Sequence, residues 1–308
     1  MRISGAICIV ACMTAWWPGH AAGVVRVVAT TTDVGGVVRE VGGARVEVQV
    51  LAKGYFDPHH LEAKPSYMAA LRKADLLAYN GLQLEVGWLP LVIEGSRNRD
   101  IAFGGPGHLD LSRGIRVLEV PEGGLSRAGG DIHPEGNPHY TLDPRNLLAM
   151  AKAAEAALSR LDPTGTPEYA RNRTDFAARL EKAIVDWEAR LAPYRGREVV
   201  CYHKQWEYLL DWLGVQVVDY IERKPGIPPT AKHLVELETL VAQRHIPVLL
   251  VSTFTDESPV KRLADKTGAT MLVLPAAAGA VEGVDTALAL FDHVTARLAA
   301  AFAAAEAP

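Results

Sequence analysis

The 308 residues carry a net charge of −4, with 49% hydrophobic and 22% charged residues. That is enough chain for two modest domains with real cores, and the composition is that of an ordinary globular protein, not a disordered one. No basic stripe, aromatic–basic interleaving or polybasic patch is present, which argues against a nucleic-acid or membrane-surface partner.

The chain opens on "MRISGAICIVACMTAWWPGHAAG". One cation, Arg2, precedes an apolar stretch without acids, and small residues follow as cleavage context. Residues 1–22 read as a secretory signal peptide cut after Ala21 or Ala22, which predicts a periplasmic protein. Acylation at Cys12 is a weaker reading, because the hydrophobic region before it is short. Of the three cysteines, Cys8 and Cys12 leave with the leader, and Cys201 alone remains, so no internal disulfide is expected.

Next, "VVRVVATTTDVGGVVREVGGARVEVQVLAKG" reads strand, helix, strand: Val34, Val37, Val38 and Val41 recur at helical spacing, and Val46, Val48 and Val50 alternate over a strand 45–51. A helix 65–74, a strand Leu76 to Tyr79 and a further helix follow. Residues 104–145, rich in Gly, Pro and His, read as long loops around a short strand at Gly114 to Val120. Thr166 then serves as N-cap of a helix with Pro167 in its first turn and Phe176, Leu180, Ile184, Trp187 and Leu191 on one face, ending before Pro193. About 27 residues of helix span about 40 Å, the length of two lobes. The βα rhythm restarts with strand 198–202, helix 203–213 closed by Gly214, strand 215–220, a helix 230–244, strand 247–252, a helix to 267, strand 270–274 and a terminal helix. Alternating strands and helices predict an α/β fold: two βα lobes with mainly parallel sheets, residues 23–165 and 195–308, joined by one rigid helix over 166–194.

Three histidines stand in loops after strands, where α/β sheets place ligands. His59 follows strand 45–51 in "DPHHLEAKPS", His139 lies in the Pro-stiffened "GNPHYTLDP", and His203 directly follows strand 198–202. Three imidazoles at one rim would suit Zn²⁺ well and Mn²⁺ or Fe²⁺ less well. No two of them share a compact ligand motif, and by spacing alone a lone loop histidine is more often structural or merely exposed than a ligand.

Together, "DPHHLEAKPSYMAALRKADLLAYNGLQLEVGWLP", "GNPHYTLDPRN", "YHKQWEYLLDWLG" and "KPGIPPTAKHLVEL" resemble the substrate-binding proteins of metal ABC importers, the ZnuA/TroA-like family. The resemblance runs over nearly all of the chain after the leader. It implies two lobes joined by a long helix, a divalent metal held between them as transported ligand (Zn²⁺, with Mn²⁺ second), and delivery to a membrane ABC permease by a monomer that is no enzyme. Carried over by position, the three family histidines fall on His59, His139 and His203. Two family acids have no counterpart: Ser252 and Ala276 stand where they would fall. The fourth ligand stays open between Asp256, Glu257, Glu62 and water.

Bland roles fit the remaining candidates. His60 is expected at the rim and Cys201 as a small buried thiol. Glu62 either caps the helix at 65 or orients a ligand imidazole. His133, in the loop "AGGDIHPEGNPH", could gather or hand over metal. His108, His233, His245 and His293 read as surface or structural, and Trp88, Trp187, Trp206 and Trp212 as core. The rival function is a zinc hydrolase with an open water position and Glu62 or Asp256 as base, though the chain has neither an HExxH helix nor a nucleophile elbow. A receptor for a metal chelate would want an aromatic-lined cleft.

Overall fold

The structure, a computed structural model, describes residues 24–121, 133–224 and 226–306. The expected leader, with Cys8 and Cys12, lies outside them. Two four-stranded parallel sheets form the frame. The first runs β2-β1-β3-β4, from β1 (Val25–Ala29), β2 (Val46–Val50), β3 (Leu76–Tyr79) and β4 (His108–Asp110). The second runs β6-β5-β7-β8, from β5 (Glu198–Cys201), β6 (Gln216–Tyr220), β7 (Val248–Ser252) and β8 (Thr270–Leu274). The strand order is the same in both lobes. Burial follows position in the sheet: β7, central, is buried throughout, four apolar residues followed by Ser252, whereas edge strand β2 alternates.

Helices cover the sheet faces. The first lobe carries α1 (Thr32–Gly42), capped by the Thr31 hydroxyl, then α2 (Pro65–Lys73), α3 (Leu89–Ser96) and α4 (Pro144–Leu161); the second carries α6 (Glu207–Leu213), α7 (Ala231–Arg244), α8 (Ser258–Thr267) and α9 (Ala287–Glu306). Between them, α5 (Thr166–Leu191) has 26 residues. Its apolar face, Phe176, Leu180, Ile184, Trp187 and Leu191, is buried, packing on α1 and α4 of one lobe and on α9 of the other. One apolar core therefore runs through both lobes, and Trp187, Trp212 and Phe291 meet within it at the far end of α5. All four expected core tryptophans are at most 4% exposed. Although α9 is long and apolar enough to cross a membrane, here it buries Leu290, Phe291, Val294, Leu298 and Phe302 against the second lobe.

Four local expectations change. No strand forms over 114–120; the fourth strand is β4, earlier in the chain. Ile115 and Val117 do alternate onto the core, but no strand edge is beside them, so the Leu118 N–H donates to the Tyr208 hydroxyl and its carbonyl accepts from Asn137 N. Helix α4 falls where no element was anticipated. Asp143 accepts from Arg145 N as its cap, Pro144 opens it, and its buried face is alanine-rich, so apolar contrast along the sequence is low. Thr166 is not the N-cap of α5. A 3-10 turn at Pro163–Gly165 has already put it in helical geometry (φ −48°, ψ −45°), whereas a capping residue needs extended backbone. Helix α6 begins at Glu207, so His203 lies in a bend and not in a helical turn.

The lobes touch directly as well as through α5. The Asp33 carboxylate, at the start of α1, accepts the Ala278 N–H at 3.1 Å. Gly54 lies so close to the same segment that a Cβ there would stand 2.2 Å from the Ala278 carbonyl, so only glycine permits this approach.

Candidate metal centre

His59, His139 and His203 converge. One ring nitrogen of each lies within 4.8 Å of the others, with His139 buried and the other two partly so. They come from the loop after β2, the segment before α4 and the bend after β5, so the cluster sits between the lobes at the carboxyl ends of the strands. Together with Asp57, Gln205, Glu222, Phe254 and Thr255 they line a cavity of about 150 Å³.

Each histidine is held by named contacts. In the turn Pro58–His60, Asp57 Oδ1 accepts from both the backbone N–H (2.9 Å) and Nδ1 (2.7 Å) of His59. The Pro58 carbonyl accepts from the Trp88 indole at 2.9 Å, which fastens the turn to the core. With Nδ1 donating to Asp57, the remaining nitrogen of His59, Nε2, carries a lone pair; it is buried and has no hydrogen-bond partner. His203 is oriented the same way, its Nδ1 2.9 Å from Glu222 Oε2. Glu222 reaches that place because the ladder between β5 and β6 continues past both strands, with Glu222 N donating to the Tyr202 carbonyl. His139 is fixed through its backbone: its N–H donates to Asn137 Oδ1, and Asn80 Nδ2 donates to the neighbouring Pro138 carbonyl.

Electrostatics match that arrangement. Burial, then the charges of His59, His203 and His133, hold His139 well below the usual imidazole range, so it is a neutral donor at physiological pH. Burial works to raise the Asp57 carboxyl, but hydrogen bonding and charge from His59 outweigh it and hold the group below the usual carboxylate range. The Asp–His and Glu–His pairs fix ring tautomer and direction as acids do behind metal-ligating histidines.

Other candidates fall outside the cluster. Glu62 is exposed, and Asp57 occupies the orienting position considered for it. Glu257 is also exposed, and Asp256 accepts from Ser258 N at the start of α8. Ser252 is buried with its hydroxyl on Thr255, and Ala276 lines a small cavity behind His139. Neither supplies an acid. The His60 side chain is 62% exposed on the far oxygen of Asp57. Cys201 is wholly buried in the core, and burial pushes its thiol up, so it is no thiolate ligand. His108 bridges the Ile101 carbonyl and the Tyr79 hydroxyl, and His233 bonds the Tyr220 carbonyl. His133 stands beside the cluster, its ring centroid 5.2 Å from that of His59.

The sequence reading missed Asp57, Glu222 and Gln205. Asp57 was legible as the acid two residues before His59. Glu222 was not, because it is 19 residues from His203 and only strand pairing joins them.

Comparison with known proteins decides the family. Residues 27–301 match the model of the zinc-uptake complex component A, periplasmic, family, ZnuA. The chain belongs to this ZnuA family. Among its relatives, the manganese ABC transporter substrate-binding lipoprotein PsaA of Streptococcus pneumoniae serotype 4 is 25% identical over 273 residues, covering 85% of this chain and 83% of the relative. The iron-binding protein YfeA of Yersinia pestis is 24% identical over 258 residues, covering 82% and 77%. A crystal structure of ZnuA superposes with a TM-score of 0.76 at 23% identity, over 90% of this chain and 99% of that one. A manganese-bound periplasmic metal binding protein from Candidatus Liberibacter asiaticus gives 0.72 at 18% identity, over 90% and 98%. Relatives within the ZnuA family thus carry the names of different metals, and membership leaves the metal of this chain to its own residues.

Proposed function

We propose that this member of the ZnuA family is an exported receptor that captures a divalent transition metal, zinc ahead of manganese, between its lobes and delivers it to an ABC permease. The observation that carries the reading is the set of three imidazoles gathered from both lobes, with the lone pair of His59 Nε2 buried and unmatched. A buried acceptor without a partner costs about 1–3 kcal/mol, and a cation on that lone pair removes the cost. Imidazole donors suit zinc better than manganese, which prefers oxygen. Transport proteins among the relatives support export and a permease partner, and the sequence of residues 1–22, which reads as a leader, is consistent with export. Of the two bases a hydrolytic role would use, Glu62 is exposed and Asp256 is exposed with its carboxylate on Ser258 N at the start of α8.

The test is a competition titration of the metal-free chain, from residue 23 onward, with zinc and manganese against a chromophoric chelator. Binding of one zinc per chain, tighter than manganese, is expected; no binding, or tighter manganese, overturns the reading. In the same assay Asp57→Asn and Glu222→Gln should each weaken zinc by roughly 10–100-fold with circular dichroism unchanged, the usual cost of losing the group behind a ligand imidazole.

A further inference from the structure

A second unmatched acceptor belongs to a residue that lines the same cavity. Gln205 is 4% exposed, and its Oε1 is buried without a hydrogen-bond partner. The residue lines both the cavity of the three histidines and the smaller one behind His139. Its backbone is pinned on either side: Gln205 N donates to the His203 carbonyl at 2.9 Å, and the Lys204 carbonyl accepts from Asn137 Nδ2 at 3.1 Å.

His59 Nε2, with its ring proton given to Asp57, is an acceptor, and so is an amide oxygen. Two acceptors cannot satisfy one another, and a cation between them satisfies both. The carboxylates nearest the cluster are committed elsewhere, Asp57 to His59 and Glu222 to His203. Ser252 and Ala276 bring no acid. We infer that Gln205 Oε1 is the fourth donor to the metal held by His59, His139 and His203. The shell is then three imidazoles and one neutral amide oxygen, so the nitrogen donors that suit zinc outnumber the single oxygen that suits manganese. The inference rests on the metal-binding reading proposed above.

The test uses the metal-free chain and the variants Gln205→Met and Gln205→Glu. Methionine keeps the volume and removes the unmatched oxygen. For Gln205→Met, zinc affinity should fall by at least about tenfold, a lower bound taken from groups one shell further out, while the apo protein melts no lower than the parent. The visible spectrum of bound Co²⁺ should change in both variants, and Gln205→Glu, which places a carboxylate in the shell, should narrow the gap between zinc and manganese. If Gln205→Met binds zinc within about twofold of the parent with an unchanged Co²⁺ spectrum, Gln205 is not a donor and the inference fails. Should that variant not fold, an unchanged Co²⁺ spectrum and metal preference in Gln205→Glu overturns it equally. Absence of zinc binding by the parent chain would instead sink the metal-binding reading itself.

Discussion

His139→Ala is expected to lower zinc affinity by on the order of a hundredfold or more, the largest loss among the three histidines. Apparent binding free energies of four-ligand zinc sites are about 10–16 kcal/mol, so one donor carries about 3 kcal/mol, or roughly two powers of ten. His139 should exceed that share because it is the most buried of the three and is already neutral. Its backbone is held by Asn137 and Asn80, so little ordering remains to be done when metal arrives. His203, with its side chain 22% exposed, can be replaced more readily by water. Calorimetric titration of the three single alanine variants checks the ranking; a His139→Ala protein that binds within about tenfold of the parent would contradict it.

Acidification is expected to act in opposite directions on metal affinity and on the stability of the metal-free protein. Metal binds only deprotonated imidazole, so protons compete with it for the ligands, least of all at His139, which burial already holds neutral. Between pH 7 and 5 zinc affinity should therefore fall. The apo protein behaves otherwise. Burial raises Asp33, Glu85 and Glu207 to about 7 each, against smaller opposing hydrogen bonds from Ala278 to Asp33 and from Thr30, Asn80 and Gly81 to Glu85. A carboxyl raised in the folded state binds its proton there before the unfolded chain does. Its contribution to stability is thus present at low pH and is lost as pH rises through about 7. His139, lowered by burial, contributes with the other sign: its stability is full above the unfolded imidazole value and is lost as pH falls below it. His293, also lowered mainly by burial, acts in the same direction as His139; three groups oppose two in the same window, so the metal-free chain should melt higher at pH 5 than at pH 7. Calorimetry of the apo protein at both values, beside the zinc titrations, measures the two slopes. A lower melting temperature at pH 5 would refute the balance drawn here.

Much of the scaffold could be read from residue order. Periodicities of two and near 3.6 gave β1 to β3, β5 to β8 and α5 with small errors at their ends, because each of those elements buries one face or both in the core. Where the pattern misled, the cause was tertiary. Ile115 and Val117 alternate like a strand but have no partner edge, and α4 buries alanines whose contrast with the polar face is slight.

The three site histidines were named from strand-end position and from resemblance. Their convergence was not written in the sequence, since it depends on strand-end loops of two sheets with the same strand order meeting between the lobes. The acids behind the histidines, and the buried amide that lines their cavity, belong still more to the fold. Glu222 meets His203 only because β6 pairs with β5 beyond both strand ends. Gln205 reads in the sequence as one more polar residue before a helix; only burial, which removes water from its oxygen and puts no donor in its place, marks it out. Sequence alone determined which groups are able to bind a metal. The tertiary structure decided which of them have been stripped of every other partner, because hydrogen-bond satisfaction is a property of neighbours in space.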